Sequence, residues 1–302
     1  HLINHPVNRR NLGVEWVKLY QQDEKLIRHI QNLGLEISGR YKNVIFLGIG
    51  GSYLGLKAAQ DALAPFYYNE FKQRKTQPRI YFEGNNLDPD TLSVLLKNLK
   101  AKETFVVVIS KSGETIETKV SLEVVKSWLK KNLGNKFGRN IFAITDPTLG
   151  TLRRIVNEAQ AKDKLSFRNL PLLPGVGGRY SELNMGLLHL AIIGVNIKEV
   201  LAGARQMFHA CQSPSVGENP AYMYAALHTI LYSAKHKSIA VIMPFAEGLK
   251  ATADWYVQLL AESLGKKFER RIEVGLAGIE KWYPDKKAAV NIGRTPIACR
   301  GT

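Results

Sequence analysis

Asn43-Val44-Ile45-Phe46-Leu47-Gly48-Ile49-Gly50-Gly51-Ser52 is the stretch that decides the fold of this chain. Residues 43–49 are β-rich and almost continuously apolar, the pattern of a strand buried on both faces. The run then breaks into glycines, and LGLKAAQDALAPF (54–66) reads as a helix. A strand, a glycine turn and a helix in that order form the first half of a βαβ unit.

Moving outward, the same unit recurs. RIYFEG (79–84) precedes a helical LDPDTLSVLLKNL, TFVVVIS (104–110) precedes ETIETKVSLEVVKSWLKK, and NIFAIT (140–145) precedes a helix from Thr148. Strands alternating with helices imply right-handed crossovers and a parallel sheet. Upstream, residues 1–42 read as a helical segment with Leu19, Ile27, Ile30 and Leu33 on its apolar side. Downstream, the Pro/Gly-rich LPLLPGVGG (170–178) marks a boundary. Three helical stretches follow it, 182–194, 197–211 and 219–233, then a predicted strand SIAVIMPF (238–245) and the helix GLKATADWYVQLLAESLGKK (248–267). The expected fold class is α/β: two doubly wound domains with mainly parallel sheets flanked by helices, the first over 43–175. The second, incomplete, begins within 176–302 after a helical connection.

The chain has 302 residues, 45% of them hydrophobic and 23% charged. That is the composition of a folded globular protein and excludes global disorder. The longest apolar runs, such as Phe105–Ile109 and Ile239–Met243, are far short of a membrane span, so no membrane partner is expected. Cys211 and Cys299 are too few for a disulfide framework, which suits a reducing, cytoplasmic setting. The net charge of +16 favours anionic partners. Its spread along the chain, without a zinc-finger, RNP-type or helix-turn-helix signature, argues against nucleic acid.

Four places could carry chemistry. Gly48–Ser52 can turn backbone N–H groups outward at a helix N-terminus, an anion cradle; Tyr53 stands where a dinucleotide fingerprint needs its third glycine, so that match fails, and only Glu83 at the end of the next strand still speaks for it. Ser110-Lys111-Ser112-Gly113-Glu114-Thr115 offers three hydroxyls and a lysine at the carboxyl edge of a parallel strand, where open sheets bind ligands. The following helix has an expected apolar stripe at Ile116, Val120, Val124 and Trp128, so packing leaves Ser110, Ser112 and Thr115 free for other work. Gly177-Gly178-Arg179 puts a guanidinium in a tight loop, suited to an anion or a developing oxyanion. On the helix from Glu247 to Leu264, Leu249, Ala253, Tyr256, Val257, Leu260 and Leu264 mark the expected core face. Gln258 and Glu262, four residues apart, share another stripe and can offer an amide and a carboxylate to one site. The histidines lack metal-ligand spacing, and no metal is expected.

In order, GIGGSYLG (48–55), SKSGETIET (110–118), GGRYS (177–181), ENPAYMYA (218–225) and QLLAESLGK (258–266) resemble the glucose-6-phosphate isomerase family of the bacterial type, from about Asn43 to Thr302. The resemblance implies two sugar isomerase (SIS) domains, no metal or organic cofactor, and a cytoplasmic homodimer interconverting glucose 6-phosphate and fructose 6-phosphate. By motif it makes Ser110, Ser112 and Thr115 the phosphate cradle with Lys111 beside them, and lines the sugar site with Gly51 and Ser52. It gives Gln258 an orienting role, Arg179 stabilisation of an enediolate, and Glu262 the role of base. Glu182 and Pro174 depart from the family pattern around the arginine loop. The family's Asp-Gln-His segment and C-terminal lysine are absent from the 302 residues, so this stretch alone is expected to isomerise the cyclic sugar poorly. Another SIS-domain isomerase, or a regulator that binds a sugar phosphate without turning it over, is the alternative.

Overall fold

The computed structural model describes residues 15–71, 76–173, 175–176, 180 and 183–264. Helix α1 (Glu24–Arg40) begins at Asp23, whose carboxylate accepts from the Lys25 N–H. It leads into β1 (Asn43–Leu47), then α2 (Leu54–Leu63), β2 (Arg79–Glu83), α3 (Pro89–Asn98), β3 (Thr104–Ile109), α4 (Ile116–Leu133), β4 (Ile141–Thr145), α5 (Thr151–Lys162) and β5 (Arg168–Pro171). All five strands are parallel, in the order β2-β1-β3-β4-β5. The fold is therefore α/β with a parallel sheet flanked by helices, as expected.

The fifth strand was not anticipated. Its sequence RNLP is short and ends in a proline, which an edge strand tolerates because one side of its backbone needs no ladder partner.

Alternation along each strand sends side chains to two cores. On one face Val44, Phe46, Phe105, Val107 and Phe142 pack with α1, α2 and α6 (Gly186–Ile192). On the other, Ile45, Leu47, Val106, Val108 and Ala143 pack with α3, α4 and α5. Strands β1, β3 and β4 are buried along their whole length, the reason their sequences read as unbroken apolar runs. Helices α7 (Ile197–Ala210), α8 (Pro220–Ser233) and α9 (Lys250–Leu264) complete the described chain.

Three expectations are corrected. Residues 238–245 form no strand: they are exposed, Phe245 by 97%, and no other strand among the described residues lies alongside to complete a ladder. On α4 the buried stripe is Thr118, Ser121, Leu122, Val125 and Leu129, while Ile116, Val120 and Val124 face outward. Repeated steps of four residues drift around a helix of 3.6 residues per turn, whereas 118, 122, 125 and 129 hold one side of it. On α9, Ala253 is buried as expected, together with Ala251, whereas Val257, and Leu249 in the 3₁₀ turn just before the helix, are exposed. Small side chains let this helix lie close to α2.

Candidate active site

The sheet order places a switch point between β1 and β3. From β1 the chain crosses to β2 by α2 on one face, and from β3 it crosses to β4 by α4 on the other. Because the two helices diverge, a crevice opens above the carboxyl ends of these strands, the position where open α/β sheets bind ligands. The loops that follow them are 48–53 and 110–115, leaving adjacent strand ends about 4.8 Å apart.

The first loop is a tight 3₁₀ turn at Gly50–Ser52. Gly48 N–H donates to the Glu83 carbonyl at 3.0 Å, tying the loop to the end of β2, and Ser52 N–H donates back to Ile49. Gly51 is buried and Ser52 half-buried. Gly50 takes φ +55°, and a β-carbon on it would stand 3.0 Å from Nε2 of Gln258. Thus α9, packed against α2, lays its Gln258 amide on the glycine turn. Gln258 Oε1 is buried and accepts no hydrogen bond among the described residues, while Nε2 lies 3.4 Å from Glu262 Oε2. Glu262 itself is exposed. An unsatisfied buried amide oxygen beside a turn of backbone N–H groups suits a ligand that brings a hydroxyl donor.

The second loop is held from inside and behind. Ser110 is buried, and its Oγ accepts from Gly113 N–H at 3.0 Å; Ser112 Oγ accepts from Glu114 N–H at 3.1 Å. Each hydroxyl keeps its proton free to donate outward. Thr115 is the N-cap of α4, yet its side chain makes no capping bond, leaving that hydroxyl uncommitted beside the positive end of an 18-residue helix. Lys111 is exposed; its carbonyl accepts from Thr145 Oγ1 at 3.1 Å and from Asp146 N–H at 3.3 Å.

Behind this loop stands the turn after β4, which sequence reasoning missed. Asp146 Oδ1 accepts from the N–H groups of Thr148 and Leu149, which hold its carboxyl below the ordinary range, with Lys111 adding a smaller pull in the same direction. Gly113, at φ +78°, touches this turn so closely that a β-carbon would collide with the backbone nitrogen of Leu152. Thr151 Oγ1 donates to Glu114, and Lys119 lies 3.6 Å from the same carboxylate. The signal was present in Asp146-Pro147-Thr148-Leu149-Gly150, a turn-forming sequence, but not the loop it would meet.

Of the expected site residues, Gly51, Ser52, Gln258 and Glu262 gather at the first loop, and Ser110, Lys111, Ser112 and Thr115 form the second. Arg179, with Gly177, Gly178, Glu182 and Pro174, lies outside the described residues.

The fold and loops define an open parallel α/β protein whose glycine turn and hydroxyl-bearing loop follow neighbouring strands at its switch point. Comparison with known proteins narrows this. The phosphoglucose isomerase family profile matches residues 20–276. Glucose-6-phosphate isomerase of Carboxydothermus hydrogenoformans is 39% identical over 280 residues, 92% of this chain and 55% of that protein. The enzyme of the same name from Symbiobacterium thermophilum is 35% identical over 83% of this chain and 55% of its own length. Among solved structures, a hypothetical protein from Thermus thermophilus superposes with a TM-score of 0.73 at 31% identity, over 86% of this chain and 57% of that one. A glucose-6-phosphate isomerase from Chlamydia trachomatis shares the fold, with a TM-score of 0.68 at 23% identity, over 84% of this chain and 49% of the other. The chain belongs to the phosphoglucose isomerase family. It spans about half the length of the curated relatives it matches.

Proposed function

We propose that the protein carrying this chain interconverts glucose 6-phosphate and fructose 6-phosphate, an aldose-ketose isomerisation in glycolysis and gluconeogenesis, through a cis-enediolate. The observation that carries the reading is the meeting of a hydroxyl-lined loop and the Gly50–Gln258 contact at one switch point, with Glu262 a helical turn beyond Gln258. Support comes also from the family membership and from relatives named for this reaction.

In this reading Ser110, Ser112 and Thr115 donate to the phosphate oxygens and Lys111 adds positive charge at the rim. Gly51 and Ser52 approach the sugar, and Gln258 Oε1 accepts from one of its hydroxyls. Glu262 takes the proton from C2 of the open-chain aldose, and the electron pair left on C2 moves into a C1–C2 double bond as the C1 carbonyl oxygen becomes anionic. Arg179 holds that charge. The hydroxyl proton passes from O2 to O1, Glu262 returns its proton to C1, and the ketose results. No cofactor is required by these steps. We further propose a cytoplasmic homodimer without nucleic-acid or membrane partners; among the described residues no helix is long and apolar enough to cross a membrane.

The test is fructose 6-phosphate in deuterated water with the full-length protein, followed by proton NMR. Deuterium entering C1 of the ketose and C2 of the aldose is expected. Tight binding without exchange would instead establish a sugar-phosphate-binding regulator.

A further inference from the structure

Arg153 is a buried cation without an anion. It is 8% exposed on the first turn of α5, and none of its hydrogen-bond acceptors among the described residues is a carboxylate. Nε donates to the Asp146 carbonyl at 2.8 Å, and both terminal nitrogens donate to Asn169 Oδ1 on β5 at 3.2 Å each. A guanidinium taken out of water needs opposite charge to offset its desolvation, and buried arginines are ordinarily paired. The position adds to the cost, since a cation in the first turn opposes the helix dipole. Neutral side chains could hold the turn after β4 by hydrogen bonds without either penalty. The nearby Asp146 carboxylate is already committed to the N–H groups of Thr148 and Leu149.

In front of this charge lies the second loop. Asp146, whose carbonyl takes the Nε bond, donates its own N–H to the Lys111 carbonyl at 3.3 Å. Leu152, the residue before Arg153, donates its N–H to the Ser112 carbonyl at 3.4 Å and is the residue against which Gly113 packs. Arg153 is therefore joined to loop 110–115 through a single intervening residue by two routes. At that range, behind backbone and not water, a charge acts through space on a bound anion. An anion gathered by the hydroxyls of Ser110, Ser112 and Thr115 would supply the negative charge that Arg153 lacks.

We infer that Arg153 is a positioning residue for the phosphate: it holds the Asp146 turn behind the loop and sets a fixed positive charge there, so that the loop prefers a doubly charged phosphate ester to a singly charged one. This role rests on the reading of residues 110–115 as the phosphate cradle and is independent of which proton Glu262 moves.

Calorimetric titration of the full-length protein with glucitol 6-phosphate and glucitol 6-sulfate tests it. Neither has a carbonyl to isomerise, and at about pH 8 the first carries two charges and the second one. A through-space effect scales with the charge of the ligand, so Arg153→Met should weaken the phosphate ester about tenfold and the sulfate ester about threefold. A purely structural loss would weaken both equally. Arg153→Lys, which keeps the charge, should restore most of the preference. Asn169→Asp leaves the guanidinium in place and gives it a carboxylate partner; it should raise stability in urea yet lower affinity for the phosphate ester more than for the sulfate. An unchanged ratio of the two affinities in Arg153→Met, or in Asn169→Asp should the first variant not fold, would overturn the inference and leave the cradle standing. Wild-type protein that binds neither ester would overturn the cradle and the inference together, and the deuterium assay reports on the isomerase reading separately.

Discussion

Gln258 rests on Gly50: its Nε2 lies 3.0 Å from the place a β-carbon would occupy there, and Gly50 holds φ +55°. Two residues more than two hundred positions apart thereby set the distance between α9 and the glycine turn. A side chain at Gly50 would be strained by its backbone and would displace the amide. Gly50→Ala should therefore cost about 1–2 kcal/mol of stability and should weaken fructose 6-phosphate binding in the full-length protein. Urea denaturation and calorimetric titration measure the two; unchanged affinity would detach Gln258 from the substrate.

Ser110 is buried and already accepts from Gly113 N–H, so its hydroxyl has two tasks when a phosphate binds. Ser110→Ala leaves a backbone donor without its acceptor and removes one hydrogen bond to the anion, each worth about 1–3 kcal/mol. Affinity for a sugar phosphate should fall about tenfold or more, and Thr115→Ala should produce a similar loss without the structural cost. Equal affinity in both variants, measured by titration calorimetry, would place the phosphate elsewhere.

Glu262→Gln in the full-length protein should lower isomerisation by ~10²- to 10⁴-fold and leave competitive-inhibitor binding intact. A comparable loss of binding would mean that the carboxylate holds Gln258 in place, across their 3.4 Å contact, and does not carry the proton.

Arg179→Ala should reduce kcat far more than it raises KM, because the charge it is proposed to hold exists only in the enediolate. Matching losses in ground-state sugar binding would make it a ligand of the phosphate.

His189 supplies a pH dependence that belongs to folding and not to the site. It is fully buried between Phe46 and Phe82, with Nε2 2.9 Å from Gln60 Oε1, and burial pushes its pKa from 6.5 to about 3. Between those values the unfolded chain binds a proton that the folded chain refuses, so stability falls as pH drops below 6.5. From pH 7 to pH 5 the loss should be about 2 kcal/mol. Urea midpoints at the two pH values measure it, and His189→Gln should remove that part of the slope.

Much of the first sheet was legible because its strands are buried on both faces. A strand such as TFVVVI must be apolar at every position, so composition alone marks it, and the glycines and hydroxyls that follow stand out as exceptions needing a reason. The two loops were legible on the same ground, and so was their place at strand ends. Other features depended on contacts between distant parts of the chain. The placement of β1 beside β3, which makes two separate loops one crevice, is set by crossover packing. Valines compatible with two sides of α4 were sorted by the sheet beneath them, which took Leu122 and Val125 and left Val120 and Val124 outside. The bracing of Gly113 by Leu152 and the seat of Gln258 on Gly50 are likewise tertiary, since closeness between remote backbones leaves no local pattern. SIAVIMPF shows the converse: an apolar, β-rich segment becomes a strand only when another strand completes its hydrogen bonds, and propensity cannot supply that partner.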